Sequence, residues 1–350
     1  MMTATTALTV PGTLAEALDP VWLSEALAPV TGGKPVTAVE TVEVIRTVAT
    51  KVRFTAAFDG ARDGREAFCL KGLLDVDAVG AAGGPTTVLE CDFYDKLAPR
   101  LSVRVPERVA TVVDRDAPMG VLLMRDLVAG GGHFCSALDA FTPDDAAQSL
   151  DQLAALHGGA GLLGELPWVG RRAAALANSD YVTAEMLQEM LDGPRGETLP
   201  PATRDAARLR AAVKALAARD GETPDFLIHG DAHAGNIFRT AEGAGLIDWQ
   251  LLQRGGWALD IAYHISAVLP VEVAEAHERD LLDHYLDRMK GLGAAMPDAE
   301  TAWAEYRAAA AYGYFLWAIT RRVDPAIINV FVARLGAAAT RHDSFRLLGV

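Results

Sequence analysis

Between residues 51 and 58 the chain alternates: Val52, Phe54, Ala56 and Phe58 share one side, Lys51, Arg53 and Thr55 the other. A two-residue period is the mark of a half-buried strand. Thr41 to Arg46 reads as the strand before it, and Asp59-Gly60 begins the turn after it. Glu66 to Leu74, Arg108 to Val113 and Gly120 to Met124 read as three more strands, so this part of the chain predicts a five-stranded antiparallel sheet. Two helices interrupt it. One spans Pro20 to Leu27. The other follows a loose Gly80 to Gly84 loop, opens at Pro85, runs through Glu90, Phe93, Tyr94 and Leu97, and stops before Pro99.

Beyond residue 124 the period changes. Thr142-Pro143-Asp144-Asp145 is a helix start: a capping hydroxyl, a proline at the first position, then acids at the positive end of the dipole. Leu150, Leu153, Ala154 and His157 follow at helical spacing. Long Ala/Leu/Arg helices are expected over 171 to 219, a strand–loop–strand insert over 225 to 249, and helices again from about 258 to the end. Ala308 to Ile319 is too short to span a bilayer and reads as a buried helix, so no membrane partner is expected. The expected class is α+β and bilobal: residues 1–124 form a sheet lobe with one main helix, and residues 125–350 a larger, mostly helical lobe.

Composition narrows the function. A chain of 350 residues exceeds one ordinary core and suits two lobes. Its 51% hydrophobic and 22% charged residues describe a folded protein, not a disordered one. A formal net charge of −14 disfavours nucleic acid as a partner. It would suit a cationic substrate, although solubility explains it as simply. Cys69, Cys91 and Cys135 are odd in number and lack a Cys-x-x-Cys, which argues against a disulfide framework or a zinc knuckle. No basic residue precedes Lys34, so no secretion signal is expected and the expected compartment is cytoplasmic.

The polar chemistry concentrates in one place. The apolar run Phe226-Leu227-Ile228 leads into His229-Gly230-Asp231-Ala232-His233-Ala234-Gly235-Asn236, and the apolar pair Leu246-Ile247 then delivers Asp248. Phosphoryl transfer needs a carboxylate to orient the attacking hydroxyl, oxygen ligands for magnesium, and a cation on the phosphates. Asp231 suits the first role, Asn236 and Asp248 the second, and Lys71 on the third strand the third. Glu90 suits an ion pair with Lys71, with Asp92 and Asp95 as competitors. His229 and His233 have the spacing of a zinc pair on a helix, but Gly230 and Gly235 oppose a helix there. A metal-dependent hydrolase is therefore the weaker rival, and no Gly-x-Ser-x-Gly supports a serine hydrolase.

His229-Gly230-Asp231-x-His233-x-x-Asn236, followed by Ile247-Asp248-Trp249, resembles the signature of the aminoglycoside phosphotransferase and choline kinase-like superfamily, which has a protein-kinase-like fold. Asp248-Trp249-Gln250 and then Gly256-Trp257-x-x-Asp260-Ile261-Ala262-Tyr263 are most similar to its ecdysteroid-kinase-like branch. The likeness covers about residues 40 to 265. It implies a nucleotide-binding first lobe, and a second lobe with the catalytic loop and acceptor site. ATP would lie in the cleft and pass its γ-phosphate to a small-molecule hydroxyl. Asp231 would be the catalytic base, and Asn236 and Asp248 would bind Mg2+. Lys71 would contact the ATP phosphates and pair with Glu90. Met124, Asp126 and Leu127 would form the hinge beside adenine, and Asp260 would brace the catalytic loop.

One departure is the turn Arg46-Thr47-Val48-Ala49-Thr50-Lys51, which has no glycine; backbone N–H groups and the Thr50 hydroxyl would have to cradle the phosphates. The glycines at 80 to 84 follow Lys71 and cannot substitute. This departure leaves a non-catalytic nucleotide-binding relative as the second rival. His157 reads as a packed helix-end residue. Trp303, Tyr306, Tyr312, Tyr314, Phe315 and Trp317 read as core or as an acceptor pocket. An aminoglycoside-like acceptor suits the acidic balance; a lipophilic or steroid-like alcohol suits the branch likeness and the late aromatics.

Overall fold

The computed structural model describes residues 8–46, 49–61, 64–75, 83–179 and 181–350. The chain divides into two compact units, Met1–Arg100 with Val105–His133, and Leu101–Arg104 with Phe134–Val350.

In the first unit, α1 (Leu14–Ala17), α2 (Pro20–Ala26) and α3 (Ala28–Thr31) precede β1 (Val36–Arg46), β2 (Thr50–Phe58) and β3 (Glu66–Gly72). Then come α4 (Gly84–Asp92), β4 (Arg108–Asp114) and β5 (Met119–Arg125). The five strands form one antiparallel sheet in the order β1-β2-β3-β5-β4. Val52, Phe54, Ala56 and Phe58 lie in one core cluster with Leu23, Leu27, Phe68 and Leu70. The alternation in the sequence is thus the sheet face turned to the helices. β1 starts at Val36, earlier than expected, because most of this edge strand is exposed and carries no clear apolar period. The chain stays helical through Leu97, as expected, but the α form ends at Asp92: wide turns over Phe93–Leu97 and a tight one over Ala98–Arg100 continue it. Pro99, which has no N–H to extend the ladder, lies inside that last turn. The expected division after residue 124 falls within β5; the first unit runs on to His133. Beyond Met124, Arg125 donates to Glu107 O and Asp126 to Ala67 O, so the backbone is still tied to this unit.

The second unit is mostly helical: α5 (Pro143–His157), α6 (Ala173–Ala177), α7 (Ala184–Asp192) and α8 (Ala206–Asp220). Thr142 and Asp145 form a reciprocal capping box at the start of α5. The long helices expected over 171 to 219 are instead these three shorter ones. Thr183 and Asp205 cap two of them, and Gly193-Pro194 and Pro200-Pro201 interrupt what alanine and leucine alone would continue. Four short strands follow. β6 (Phe226–Ile228) pairs with β9 (Gln253–Gly255), and β7 (Ile237–Thr240) pairs with β8 (Gly243–Leu246). The helices α9 (Ala258–Val268), α10 (Val271–Gly291), α11 (Ala299–Ala318), α12 (Pro325–Arg341) and α13 (Ser344–Leu347) complete it. Every residue of α9 is buried, and it packs on α5, α11 and α12. No helix among the described residues is long and apolar enough to cross a membrane.

The cysteines are free thiols. Burial pushes Cys69 up to about 11 and Cys91 higher still, which leaves both as inert packing groups.

Candidate active site

Two ladders hold the loop 229–236 in the second unit. β6 enters it and β7 leaves it, while the β7–β8 hairpin returns the chain to Asp248. Gly230 has φ +79°, and a Cβ there would lie 2.4 Å from Leu251 O and 2.5 Å from Gln253 Nε2. Only glycine fits that approach.

The helix α9 supports the loop from below. Asp260 accepts from His229 N (2.6 Å) through Oδ2 and from Gly230 N (2.8 Å) through Oδ1. His157, the last residue of α5, lies with Nε2 3.1 Å from the same carboxylate and Nδ1 2.7 Å from Tyr285 Oη. Asp260 and His157 are both fully buried, so this carboxylate braces the loop from within the core. From α11, Tyr312 donates to Gly230 O at 2.9 Å, and Gln253 Nε2 donates to Tyr312 at 3.1 Å.

The two loop histidines serve the backbone. His229 Nε2 donates to Ile247 O at 2.9 Å, and its Nδ1 accepts from Asp231 N at 3.3 Å. His233 Nδ1 accepts from Gly235 N at 3.0 Å. With both ring nitrogens of His229 engaged, the pair does not form a zinc site, and no group of three or more metal-binding side chains occurs among the described residues.

Asp231 is held at both oxygens. Oδ1 accepts from Tyr263 Oη at 2.9 Å, and Oδ2 from Asn236 Nδ2 at 3.1 Å. Asn236 Nδ2 also donates to Asp231 O at 2.8 Å. Burial pushes this carboxyl up, but the His233 and His229 imidazoles outweigh it and hold it below the ordinary range, so it is ionised. It is 26% exposed and therefore open to a reactant. With the Asn236 amide nitrogen turned onto Asp231, its amide oxygen is left as the atom able to ligate a cation. Ile247 N donates to Asn236 O at 3.0 Å, which sets Asp248 one residue further along, in a left-handed conformation with φ +65°. Aspartate tolerates that region better than most side chains. An amide oxygen and a carboxylate carried by backbone segments joined in this way are hard oxygen donors that fit magnesium.

In the first unit Lys71 sits on β3 opposite Lys51 on β2 and Leu122 on β5. Its Nζ lies 2.8 Å from Glu90 Oε1 and 2.7 Å from Oε2, with the two side chains only 6% and 4% exposed. The competitors for Lys71 face other cations: Asp92 pairs with Arg115 and Lys96, and Asp95 with Arg108. Thr50 opens β2 fully buried, and its hydroxyl has no hydrogen-bond partner among the described residues. Thr47 and Val48 of the glycine-free turn, and Gly80, Ala81 and Ala82 of the later loop, lie outside the described residues.

Of the expected hinge, Met124 closes in β5 opposite Cys69. The Asp126 carboxylate receives Arg53 Nε at 3.0 Å and Val128 N at 3.0 Å, so this side chain fixes the turn. Leu127 O accepts from Gly132 N at 2.9 Å.

Of three further contributors, the sequence singled out neither Tyr263 nor Arg172 as a site residue, and named Trp317 only among the aromatics of core or acceptor pocket. Tyr263 and Trp317 stand behind Asp231, and Trp317 Nε1 donates to Tyr263 Oη at 2.6 Å. Arg172 donates through Nη1 to Gln250 O at 2.8 Å and through its backbone to Gln253 Oε1 at 3.0 Å, and burial pushes its guanidinium down. The one available signal was spacing: Tyr263 follows Asp260 by three residues, hence on the same helix face. Of the six late aromatics Trp303 is half-buried, and the other five are core. Tyr306, Tyr312, Tyr314, Phe315 and Trp317 are buried, and Tyr314 donates to Thr203 O at 3.0 Å.

A family profile described as APH, the phosphotransferase enzyme family, matches residues 86–324. Comparison with curated proteins gave no significant match. Among solved structures, the chain is similar to a choline/ethanolamine kinase family protein from Mesorhizobium loti, with 19% identity, TM-score 0.51, and 93% of this chain and 97% of that one covered. It is also similar to choline kinase from Cryptosporidium parvum Iowa II, with 11% identity, TM-score 0.51, and coverage of 89% and 88%. A third is an ethanolamine kinase from Plasmodium vivax, with 15% identity, TM-score 0.50, and coverage of 87% and 82%. At such identities the likeness is one of fold, and it is the kinase-like α+β fold expected from the sequence. None of these comparisons carries the finer likeness to the ecdysteroid-kinase-like branch.

Proposed function

The chain belongs to the APH family of phosphotransferase enzymes, and on that premise we propose that it transfers the γ-phosphate of ATP to a hydroxyl group of a small molecule. The observation that carries this reading is the ionised Asp231 carboxylate, held at both oxygens yet open to a reactant, beside Asn236 and Asp248.

In this reading Asp231 accepts a hydrogen bond from the acceptor hydroxyl and takes its proton. The hydroxyl oxygen forms a bond to the γ-phosphorus, the bond from that phosphorus to the bridging oxygen breaks, and ADP leaves with the electron pair. Asn236 Oδ1 and the Asp248 carboxylate would hold Mg2+, which when bound neutralises charge on the β- and γ-phosphates. Lys71, oriented by Glu90, would contact the phosphates. The Thr50 hydroxyl, without a partner among the described residues, would donate to a phosphate oxygen. The main chain at Met124 and Leu127 would face adenine, with Asp126 shaping the turn through Arg53.

The acceptor classes are an aminoglycoside-like polyol, a lipophilic or steroid-like alcohol and, from the names of the similar structures, small amino alcohols such as choline and ethanolamine. The buried late aromatics no longer favour the lipophilic class, because packing and scaffold hydrogen bonds already engage them.

An ATP-consumption screen over cationic and apolar hydroxylated compounds, with the phosphorylated product identified by mass, is expected to yield an acceptor. Asp231→Asn is expected to lower turnover by about 10²- to 10⁴-fold while ATP binding persists. Unchanged turnover in that variant would overturn the mechanism. ATP binding without turnover on any acceptor would favour the non-catalytic relative.

A further inference from the structure

On α9, Asp260, Tyr263 and His264 fall at positions i, i+3 and i+4, which is one face of a helix. That face meets the loop residue by residue. Asp260 accepts from the N–H groups of His229 and Gly230, and His264 Nδ1 lies 2.9 Å from Ala232 O. These two contacts are with the backbone. Tyr263 alone meets a loop side chain, donating to Asp231 Oδ1 at 2.9 Å.

A second group sets the direction of that bond. Trp317 Nε1 lies 2.6 Å from Tyr263 Oη. An indole N–H can only donate. The phenol oxygen therefore accepts from Trp317, and its single proton turns to Asp231. Trp317 is itself wedged: its ring centroid is 4.1 Å from that of Phe331 and 5.1 Å from that of His233. Tyr263 is fully buried and Trp317 only 5% exposed, so water does not compete for either bond. Burial and the Asp231 charge hold the phenol well above its ordinary value, and it remains a donor.

We propose that Tyr263, oriented by Trp317, is a positioning residue that fixes the Asp231 carboxylate in the rotamer that aligns the acceptor hydroxyl. Asn236 holds the other oxygen, so the two donors leave the carboxylate no free rotation. Phosphoryl transfer depends chiefly on such alignment, since the protein makes no covalent bond of its own. The proposal rests on Asp231 being the base.

The test is a double-mutant cycle with Asp231→Asn and Tyr263→Phe, and Trp317→Phe as a third variant. Three quantities are followed: turnover with Mg-ATP and an acceptor from the screen (Mg-ATP hydrolysis by water if none is found), Mg-ATP affinity by titration, and the melting temperature. Tyr263→Phe is expected to lower kcat by about 10- to 100-fold with Mg-ATP affinity and KM for ATP unchanged. Trp317→Phe, which leaves the Tyr263–Asp231 bond, is expected to lower kcat less, by about 3-fold. In the Asp231→Asn background Tyr263→Phe is expected to have no further effect, because nothing remains to align. A purely structural tyrosine would instead lower turnover equally in both backgrounds, and that result overturns the proposal. So does wild-type kcat in Tyr263→Phe, or, should that variant not fold, in Trp317→Phe. If Asp231→Asn itself keeps wild-type turnover, the base assignment fails first and the tyrosine's role with it.

Discussion

Lys71 and Glu90 meet as an ion pair, almost sealed from water, held where the register of β2, β3 and β5 and the helix α4 bring them. Asp231 is also largely enclosed, but its support is a web of mostly neutral hydrogen bonds reaching from α9 and α11 through Tyr263, Trp317 and Asn236. The two polar centres differ in what happens when one member is removed. Removing one member of a buried ion pair takes away the main compensation of the other's charge. A web loses one bond at a time, and the remaining partners still restrain the loop.

The sharpest way to break this comparison is Glu90→Ala. It takes the Glu90 carboxylate away from an ammonium that is only 6% exposed and is expected to cost about 3–5 kcal/mol, read by denaturant unfolding. A variant as stable as the parent would mean that the pair is not a structural pivot.

The next effect is read against pH. Burial pulls His264 down to about 4. A histidine kept neutral by the fold contributes its full stability above the unfolded value of about 6.5. That stability is lost as pH falls from there to about 4, because the unfolded chain takes up a proton that the folded chain refuses. The expected loss is about 3 kcal/mol over that window. It should be smaller in His264→Gln, and equal pH slopes in the two proteins would remove His264 as the cause.

The smallest effect is expected from Asp260→Asn. The amide keeps one acceptor for the His229 and Gly230 N–H groups and turns a donor onto the other. The expected cost is about 1–3 kcal/mol of stability, together with lower turnover because the loop carries Asp231. A stable but slow variant would sharpen the contrast, separating support of the loop from support of the fold.

Much of this was legible in the sequence, for identifiable reasons. The alternation at 52–58 is the β2 face in the core, and the Thr142 capping box starts α5 where it reads. The spacing from Asp231 to Asn236 to Asp248 was readable because one short loop carries the first two and a tight hairpin returns the chain to the third. Other features were hidden. β1 is an exposed edge, and exposure erases the apolar period. The helices over 171 to 219 read as continuous because alanine and leucine signal helix, whereas Pro194, Pro200 and Pro201 decide where it breaks.

By itself, then, the sequence determined the α+β class, and it picked out the polar loop, Asp248 and the strand lysine, since each depends on local period, spacing or turn chemistry. Tertiary structure alone decided which of Glu90, Asp92 and Asp95 meets Lys71, for that depends on where Arg108 and Arg115 lie across the sheet. It alone decided that Tyr263, which in the sequence is only the last residue of the Asp260-Ile261-Ala262-Tyr263 likeness, aims its hydroxyl at Asp231. That outcome required Trp317, 54 residues away in the chain, to point its N–H at the same oxygen, and a contact between distant segments leaves no periodic trace in either one.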